Sequence, residues 1–372
     1  MKVALIHDHL IQDGGAERVL VILQEIYPQA PTYTLLFDQK KVGEIFKNKD
    51  IRTSFLQNWP GALKHYQWFL PLMPTATEGY DLMDYDVVIS SSSAMAKGVI
   101  TRSNTLHLCY CHTPTRYLWS DTHRYIEELK YNYLIKRIIP PILTRLRAWD
   151  QLAAQRVDLF IANSKNVADR IRKYYRRDSI VIHPPVATDQ FKISDKIDKY
   201  FLTGGRLVAY KKFDLAIKAF NRLGIPLKIF GTGPEEKKLK ALAKPNVEFL
   251  GKIDQEKLAR LYGQAIAFIH PQIEDFGITA VESMAAGRPV IAYAAGGACE
   301  TVVEKKTGQF FDEQTWEALA DTIVRFKPED YNPAGIKAYA EQFGIDRFKR
   351  EITNLVDVEL EKRKSNQIRC GF

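Results

Sequence analysis

EDFGITAVESMAAGRPVIAY, residues 274–293, places two glutamates, Glu274 and Glu282, on either side of an aromatic residue, a glycine and a helix-like run. Gly-Arg-Pro and a strand-like VIAY follow. A helix beginning near Gly277 leaves Glu274 in the preceding loop and puts Glu282 about a turn and a half inside. The two carboxylates are then separated by roughly 8–12 Å, too far to work on one bond. The spacing fits hydrogen bonds to hydroxyls of two different sugars with a phosphate group between them. Gly277 would let backbone N–H groups approach that phosphate at a helix N-terminus. A plainer reading has Glu274 complementing the helix dipole and Glu282 on the surface. The small, apolar SMAAG after Glu282 speaks for close helix packing instead.

Outward from this stretch, the chain alternates strands and helices. VALIHDHL, DYDVVISSS, LHLCYCHT, RVDLFIANS and SIVIHPPV are short apolar runs separated by helical stretches, including one from Lys130 to Gln155. Such runs suit parallel strands buried on both faces. The pattern pauses over residues 183–198, with two prolines and a polar, charged run, and restarts with YFLTGGRL, PLKIFGTG, VEFLGKI, AIAFIHP and RPVIAY. The expected fold class is therefore α/β with two Rossmann-like, doubly wound domains, 1–188 and 189–346. Carboxyl edges that face each other would enclose a ligand in an interdomain cleft. Residues 346–364 read as an amphipathic helix with Phe348, Ile352, Leu355, Val356 and Leu360 on one side, able to pack on either domain.

A chain of 372 residues with 46% hydrophobic and 26% charged content is long enough for two cores and is globular in composition. It has no uninterrupted apolar run of membrane-spanning length, and its start reads as a strand rather than a secretory signal. Four cysteines without zinc or redox spacing suggest reduced thiols in the cytoplasm. The net charge of +9 admits nucleic acid, an anionic membrane or phosphorylated small molecules, and does not choose among them.

Two further motifs lie at strand-to-helix turns. In GGRLVAYKKFD, Arg206 and Lys211 offer an arginine fork and a lysine point charge suited to a diphosphate, though surface cations would look the same. FGTGPEE carries Gly231 in a tight turn, with Glu236 where a dinucleotide fingerprint would have its third glycine.

Taken together these pieces resemble the retaining GT-B glycosyltransferases of family 4, with their E-x7-E motif. Gly14 and Gly15 in DGGAERV resemble the glycine loop lying against the donor diphosphate. His112 in CYCHTPTRYLW resembles the histidine near the donor sugar. Arg206 and Lys211 match the family's diphosphate pair, and Phe276-Gly277 its E-x-F-G; Lys212 stands where many members have glycine, with little effect expected. The resemblance implies that Glu274 contacts the transferred sugar, that Phe276, Gly277 and Ile278 offer backbone N–H groups, and that Glu282 binds the ribose. It also implies that a final helix, about 347–372, returns to the N-terminal domain. The base pocket is expected near Gly251, Lys252 and Ile253.

The subgroup resemblance is to bacterial mannosyltransferases of surface polysaccharide synthesis, so GDP-mannose is the expected donor and a UDP-hexose the alternative. A nucleotide-sugar epimerase would want carboxylates and histidines arranged for water attack at the anomeric carbon, and intact Glu274, Glu282, Arg206 and Lys211 argue against a non-catalytic binding protein. No metal or other cofactor is expected, since Arg206, Lys211 and a helix end can stabilise the leaving diphosphate. No nucleic acid partner is expected. Residues 54–74 mix Trp59, Tyr66, Trp68 and Phe69 with Lys64 and His65, which suits a lipid-linked or glycan acceptor. With basic clusters at Lys136-Arg137, Arg145, Arg147 and 170–177, it also suits an anionic membrane surface. An aromatic core hairpin is the competing reading of that segment. The expected location is cytoplasmic, with docking on the inner face of the cytoplasmic membrane.

Overall fold

The computed structural model describes residues 1–129 and 131–370. Lys130, at the start of one expected helical region, and residues 371–372, at the end of the expected returning segment, lie outside the described residues.

The chain divides into two compact units, Met1–His183 joined by the chain from Lys349 onward, and Pro184–Phe348. The sequence reading placed the division at 188/189. The chain joins the second unit earlier because Val186 N–H donates to the carbonyl of Phe343 and Val186 bridges Gly344.

The first unit contains a seven-stranded sheet: β1 (Val3–His7), β2 (Thr32–Thr34), β3 (Ile51–Thr53), β4 (Val87–Ser92), β5 (Leu106–Cys111), β6 (Leu159–Ala162) and β7 (Ser179–Val181). All pairings are parallel, in the order β3-β2-β1-β4-β5-β6-β7. Strands β1, β4 and β5 are buried along their whole length, β4 ending in three serines and β5 carrying His107 among its apolar residues. The order reverses between β1 and β4, so the loops after these strands diverge and leave a crevice at the carboxyl edge.

That edge is held by buried polar contacts. The Asp8 carboxylate accepts four backbone N–H bonds, from Ser93, Ala94, Met95 and Ala96, at 2.6–2.9 Å. Burial would raise its pKa, but the charges of His9 and His7 and these N–H groups hold it below the ordinary aspartate value. Nearby, Lys97 Nζ pairs with Asp150 at 2.5 Å and also donates to the Ala94 carbonyl. Asp150 further accepts from Thr115 (2.9 Å), Trp119 (2.7 Å) and Tyr175 (2.9 Å). The pair therefore ties the loop after β4 to the loop after β5 and to the helix Tyr133–Gln155.

The helix Ile345–Cys370 supplies Ile352 and Val356, both buried, to the first unit. Lys349 pairs with Glu25 at 2.7 Å, and Arg363 pairs with Asp158 at 2.5 Å and donates to the carbonyl of Thr105 at 2.9 Å.

The second unit holds a six-stranded parallel sheet: β8 (Phe201–Gly204), β9 (Leu227–Phe230), β10 (Val247–Gly251), β11 (Phe268–His270), β12 (Val290–Tyr293) and β13 (Gly308–Phe311). The order is β10-β9-β8-β11-β12-β13, with its reversal between β8 and β11. Two apolar clusters fill this unit. One is centred on Phe268, Tyr262 and the helix Ile278–Ala285, the other on Phe213, Phe220 and Ile229. Arg288 of the Gly-Arg-Pro turn is buried and donates to the carbonyls of Gly263 (2.7 Å) and Ser194 (2.6 Å), fastening the connecting segment to the sheet domain.

Asp150→Ala should lower unfolding free energy by about 3–5 kcal/mol, because Lys97 would remain buried without its counter-ion. Chemical denaturation checks this, and a loss below about 1 kcal/mol would show that the network contributes little.

Candidate functional site

In the second unit the site is built where β8 and β11 end side by side. The loop after β8 carries Arg206 and Lys211; the loop after β11 carries Gln272, Glu274 and Gly277. Lys211 Nζ and Glu274 Oε1 meet at 2.8 Å, with side chains only 12% and 17% exposed, so the pair clamps the two diverging loops. Burial pushes the Lys211 pKa down most, but the Glu274 charge, Tyr210 and the hydrogen bond to Glu274 together hold the ammonium above the ordinary lysine value, against opposition from Arg206. Arg206 itself is exposed. The Gln272 amide nitrogen donates to Glu274 (3.4 Å) and bonds to Nδ1 of buried His270 (3.2 Å). Burial takes His270 down to about 4, with Glu274 and Lys211 acting in opposite directions.

Gly277 is the N-cap of the helix Ile278–Ala285, with φ of +91°, a left-handed conformation that favours glycine. The early N–H groups of that helix have no intrahelical acceptor, so with Lys211 and Arg206 they make this edge suitable for an anion. Glu282, five residues into the helix, is 3% exposed and accepts a hydrogen bond from Tyr262 Oη at 3.1 Å. The surface reading of Glu282 is thus corrected: the helix is packed on both sides, as SMAAG suggested.

The ends of β8, β9 and β10 stack along the same edge. At Gly231, φ is +102° and a Cβ would lie 1.9 Å from the Gly205 carbonyl oxygen, so the turn requires glycine. Gly231 N–H donates to Gly251 at 2.7 Å. A Cβ on Gly251 would meet nothing within 4 Å; Lys252 beyond it is exposed and Ile253 packs against the core.

In the first unit, His7, Ser91 and His112 come together at the ends of β1, β4 and β5. Ser91 Oγ is 2.8 Å from His112 Nε2 and 3.1 Å from His7 Nδ1. Desolvation, then the neighbouring His7, lowers His112 to about 4, so its ring is neutral at pH 7. Gly14 caps the helix Gly15–Ile26, and a Cβ there would lie 2.9 Å from the Glu17 carboxylate. The structure thus groups Arg206, Lys211, Glu274 and Gly277 in one unit, and Gly14, Gly15 and His112 in the other. Sequence reasoning missed His7, Glu17, Ser91, His270, Gln272 and Tyr262. His7, Ser91 and Tyr262 stand far along the chain from their partners and are brought to them by the fold, whereas His270 and Gln272 lie two residues apart on the strand end and loop that lead to Glu274, and Glu17 lies within the glycine motif.

Residues 54–74 form 3-10 turns, Phe55–Asn58 and Tyr66–Leu72, and not a core hairpin. Phe55, Trp59 and Trp68 are exposed, with His65 stacked on Trp68. Of the basic residues, Arg137 and Arg145 are exposed, whereas Arg147 donates to the Leu118 carbonyl, Arg170 to Thr113 and Arg177 to the Ala154 carbonyl. The basic surface is therefore smaller than composition implied. Among the described residues no group of three or more His, Cys, Asp or Glu gathers as a metal site, and no helix is long and apolar enough to cross a membrane.

Two parallel Rossmann-like sheets, each with its polar groups at the carboxyl edge of the strand-order reversal, define the fold of the GT-B glycosyltransferases. Residues 14–190 match the family model Glycosyltransferase Family 4, and residues 186–343 match Glycosyl transferases group 1. The two matches, both to glycosyltransferase models, together span residues 14–343. It is 30% identical over 201 residues to D-inositol 3-phosphate glycosyltransferase of Mycobacteroides abscessus, a match covering 47% of this chain and 45% of that relative's length. It is 23% identical to alpha-1,3/1,6-mannosyltransferase ALG2 of Rhizomucor pusillus, over 100% of this chain and 94% of the relative. It is 33% identical to GDP-mannose-dependent alpha-mannosyltransferase of Corynebacterium glutamicum, over 32% of this chain and 30% of the relative. Among solved structures, Anabaena Alr3699/HepE in complex with UDP aligns with a TM-score of 0.72 at 19% identity, covering 96% of this chain and 100% of that one.

Lys212, the N-cap of the helix Phe213–Leu223, has φ of +54° and ψ of +32°. This left-handed backbone explains why glycine suits the position. Lys212→Gly should leave stability unchanged or raise it by about 1 kcal/mol, as the relieved strain offsets the entropy of a more flexible unfolded chain. Thermal unfolding tests this; a clear loss of stability would mean that the lysine side chain makes a compensating contact.

Proposed function

We propose that this glycosyltransferase retains anomeric configuration and moves a hexose, mannose from GDP-mannose, to a lipid-linked or glycan acceptor in cell-surface polysaccharide or glycolipid biosynthesis. The observation that carries the reading is the Lys211–Glu274 pair at 2.8 Å beside the Gly277 helix end. It sets a cation for phosphate and a carboxylate for sugar hydroxyls next to each other. The names of the mannosyltransferase relatives support the choice of mannose.

In the proposed reaction the bond from the anomeric carbon to the nucleoside diphosphate breaks, and a bond from the acceptor oxygen to that carbon forms on the same face. Arg206, Lys211 and the helix N-terminus stabilise the departing diphosphate, with protein cations in the role a metal could otherwise fill. The acceptor proton passes to the leaving phosphate oxygen. Double displacement would need a second carboxyl group about 5 Å from the first at the anomeric carbon. Glu282 does not serve that part here: it binds the ribose hydroxyls, with Tyr262 fixing its carboxylate. His112, Gly14 and Gly15 contribute from the N-terminal unit. Gly231, Gly251, Lys252 and Ile253 border the nucleotide, and Phe276 and Ile278 offer backbone N–H groups.

The exposed Phe55, Trp59 and Trp68, with Lys64, Arg137 and Arg145, support docking on the anionic inner face of the cytoplasmic membrane, where a polyprenyl-linked acceptor would be met. A UDP-hexose donor is the second reading, favoured by the structural neighbour that was crystallised with UDP.

Thermal-shift titration with GDP-, UDP- and ADP-sugars tests the donor: GDP-mannose should stabilise the chain most, and a larger shift with a UDP-sugar would select the second reading. Glu282→Gln preserves the side-chain volume and should weaken nucleotide binding about 10–100-fold, one or two charge-assisted hydrogen bonds' worth. Unchanged affinity by calorimetry would remove the ribose assignment. Arg206→Ala combined with Lys211→Ala should nearly abolish transfer; near-normal turnover would contradict the diphosphate role.

A further inference from the structure

A continuous polar chain crosses the carboxyl edge of the first unit. Glu17 Oε1 lies 3.8 Å from His7 Nε2, His7 Nδ1 is 3.1 Å from Ser91 Oγ, and Ser91 Oγ is 2.8 Å from His112 Nε2. Glu17 and His7 are each 3% exposed and Ser91 is fully buried. The first contact, longer than a hydrogen bond, turns the polar N–H edge of the His7 ring toward the carboxylate, whereas the other two are hydrogen bonds.

Each link limits the next. An ionised carboxylate only accepts, so the His7 nitrogen facing Glu17 is the one that carries hydrogen. In a neutral ring Nδ1 is then an acceptor, and the Ser91 hydroxyl donates to it. That hydroxyl has spent its single hydrogen, so it can only accept from His112, whose Nε2 must be the donor. Nδ1 of His112 is left with its lone pair. The reverse polarity would need a doubly protonated His7, or a lone pair of its ring turned toward the carboxylate.

Glu17 is well placed to be ionised. It lies in the first turn of the helix Gly15–Ile26, where the dipole favours negative charge. The neighbouring Asp8 carboxylate does not compete for the chain, since both its oxygens are taken by the four N–H groups of residues 93–96.

We infer that Glu17, His7 and Ser91 are positioning residues that hold His112 as the Nε2–H tautomer, leaving Nδ1 to accept a hydrogen bond from a hydroxyl of the transferred sugar. The sugar in this inference rests on the donor reading above; the tautomer does not.

Long-range 1H–15N correlation on the full chain labelled at histidine nitrogen reads the ring directly, with His112 assigned by the signals lost in His112→Gln. The expected spectrum shows His112 protonated at Nε2 alone. Ser91→Ala should mix the two tautomers, and Glu17→Gln should shift the His112 nitrogens the same way by removing the charge at the far end. An Nδ1–H ring in the unaltered chain, or an Nε2–H ring that persists unmixed in Ser91→Ala, would overturn the relay. In transfer assays Ser91→Ala should lower kcat about tenfold, one hydrogen bond's worth, with donor KM little changed. An unchanged kcat despite mixed tautomers would overturn the role in transfer. If no nucleotide-sugar binds the unaltered chain, the donor reading fails while the ring spectrum still judges the relay.

Discussion

The Lys211–Glu274 ion pair is the contact on which the second unit's site depends. Parallel strands whose order reverses send their following loops in opposite directions, and nothing in the sheet itself holds those loops together. A cation from the loop after β8 and a carboxylate from the loop after β11 close that gap at 2.8 Å. The pair is screened enough from water for the attraction to count, and the left-handed Gly277 begins a helix beside it. Glu274 also orients the Gln272 amide, since a carboxylate is an acceptor and the amide nitrogen is the donor that faces it. One interaction thus fixes a cation, a carboxylate and the side chain behind them.

The first unit reaches a comparable edge by different means. There the loops after β4 and β5 are pinned by buried acids, Asp8 to a run of backbone N–H groups and Asp150 to Lys97 and three side-chain donors. These acids are removed from solvent, and their partners satisfy them. What remains at the edge are neutral or uncharged groups, Ser91 and His112. Of these two, Ser91 is fully enclosed and His112 is the one that is partly exposed.

Much of this was legible in the sequence. Residues 274–293 gave the loop carboxylate, the glycine at the helix start, the packed helix and the strand after it, because each depends on neighbours in the chain. Strands β2, β3 and β13 were not foreseen: TYT and IRT are too short to show a period, and GQFF lacks an apolar run. The pairing of Lys211 with Glu274 was invisible because the partners come from separate strands. So was the row of His7, Ser91 and His112, which only the adjacency of β1, β4 and β5 brings into line. The basic residues at 147, 170 and 177 were read as surface charge, yet their guanidinium groups spend hydrogen bonds inside the fold.

The final helix has a consequence for synthesis. Phe348 belongs to the second unit and Lys349 to the first, so the first unit is discontinuous along the chain. Its apolar surface for Ile352 and Val356 must wait while residues 184–348 are made, roughly ten to thirty seconds at ordinary rates of translation. The second unit can therefore finish folding on the ribosome before the first one is complete. During that delay the exposed seam is where a chaperone would find its hold.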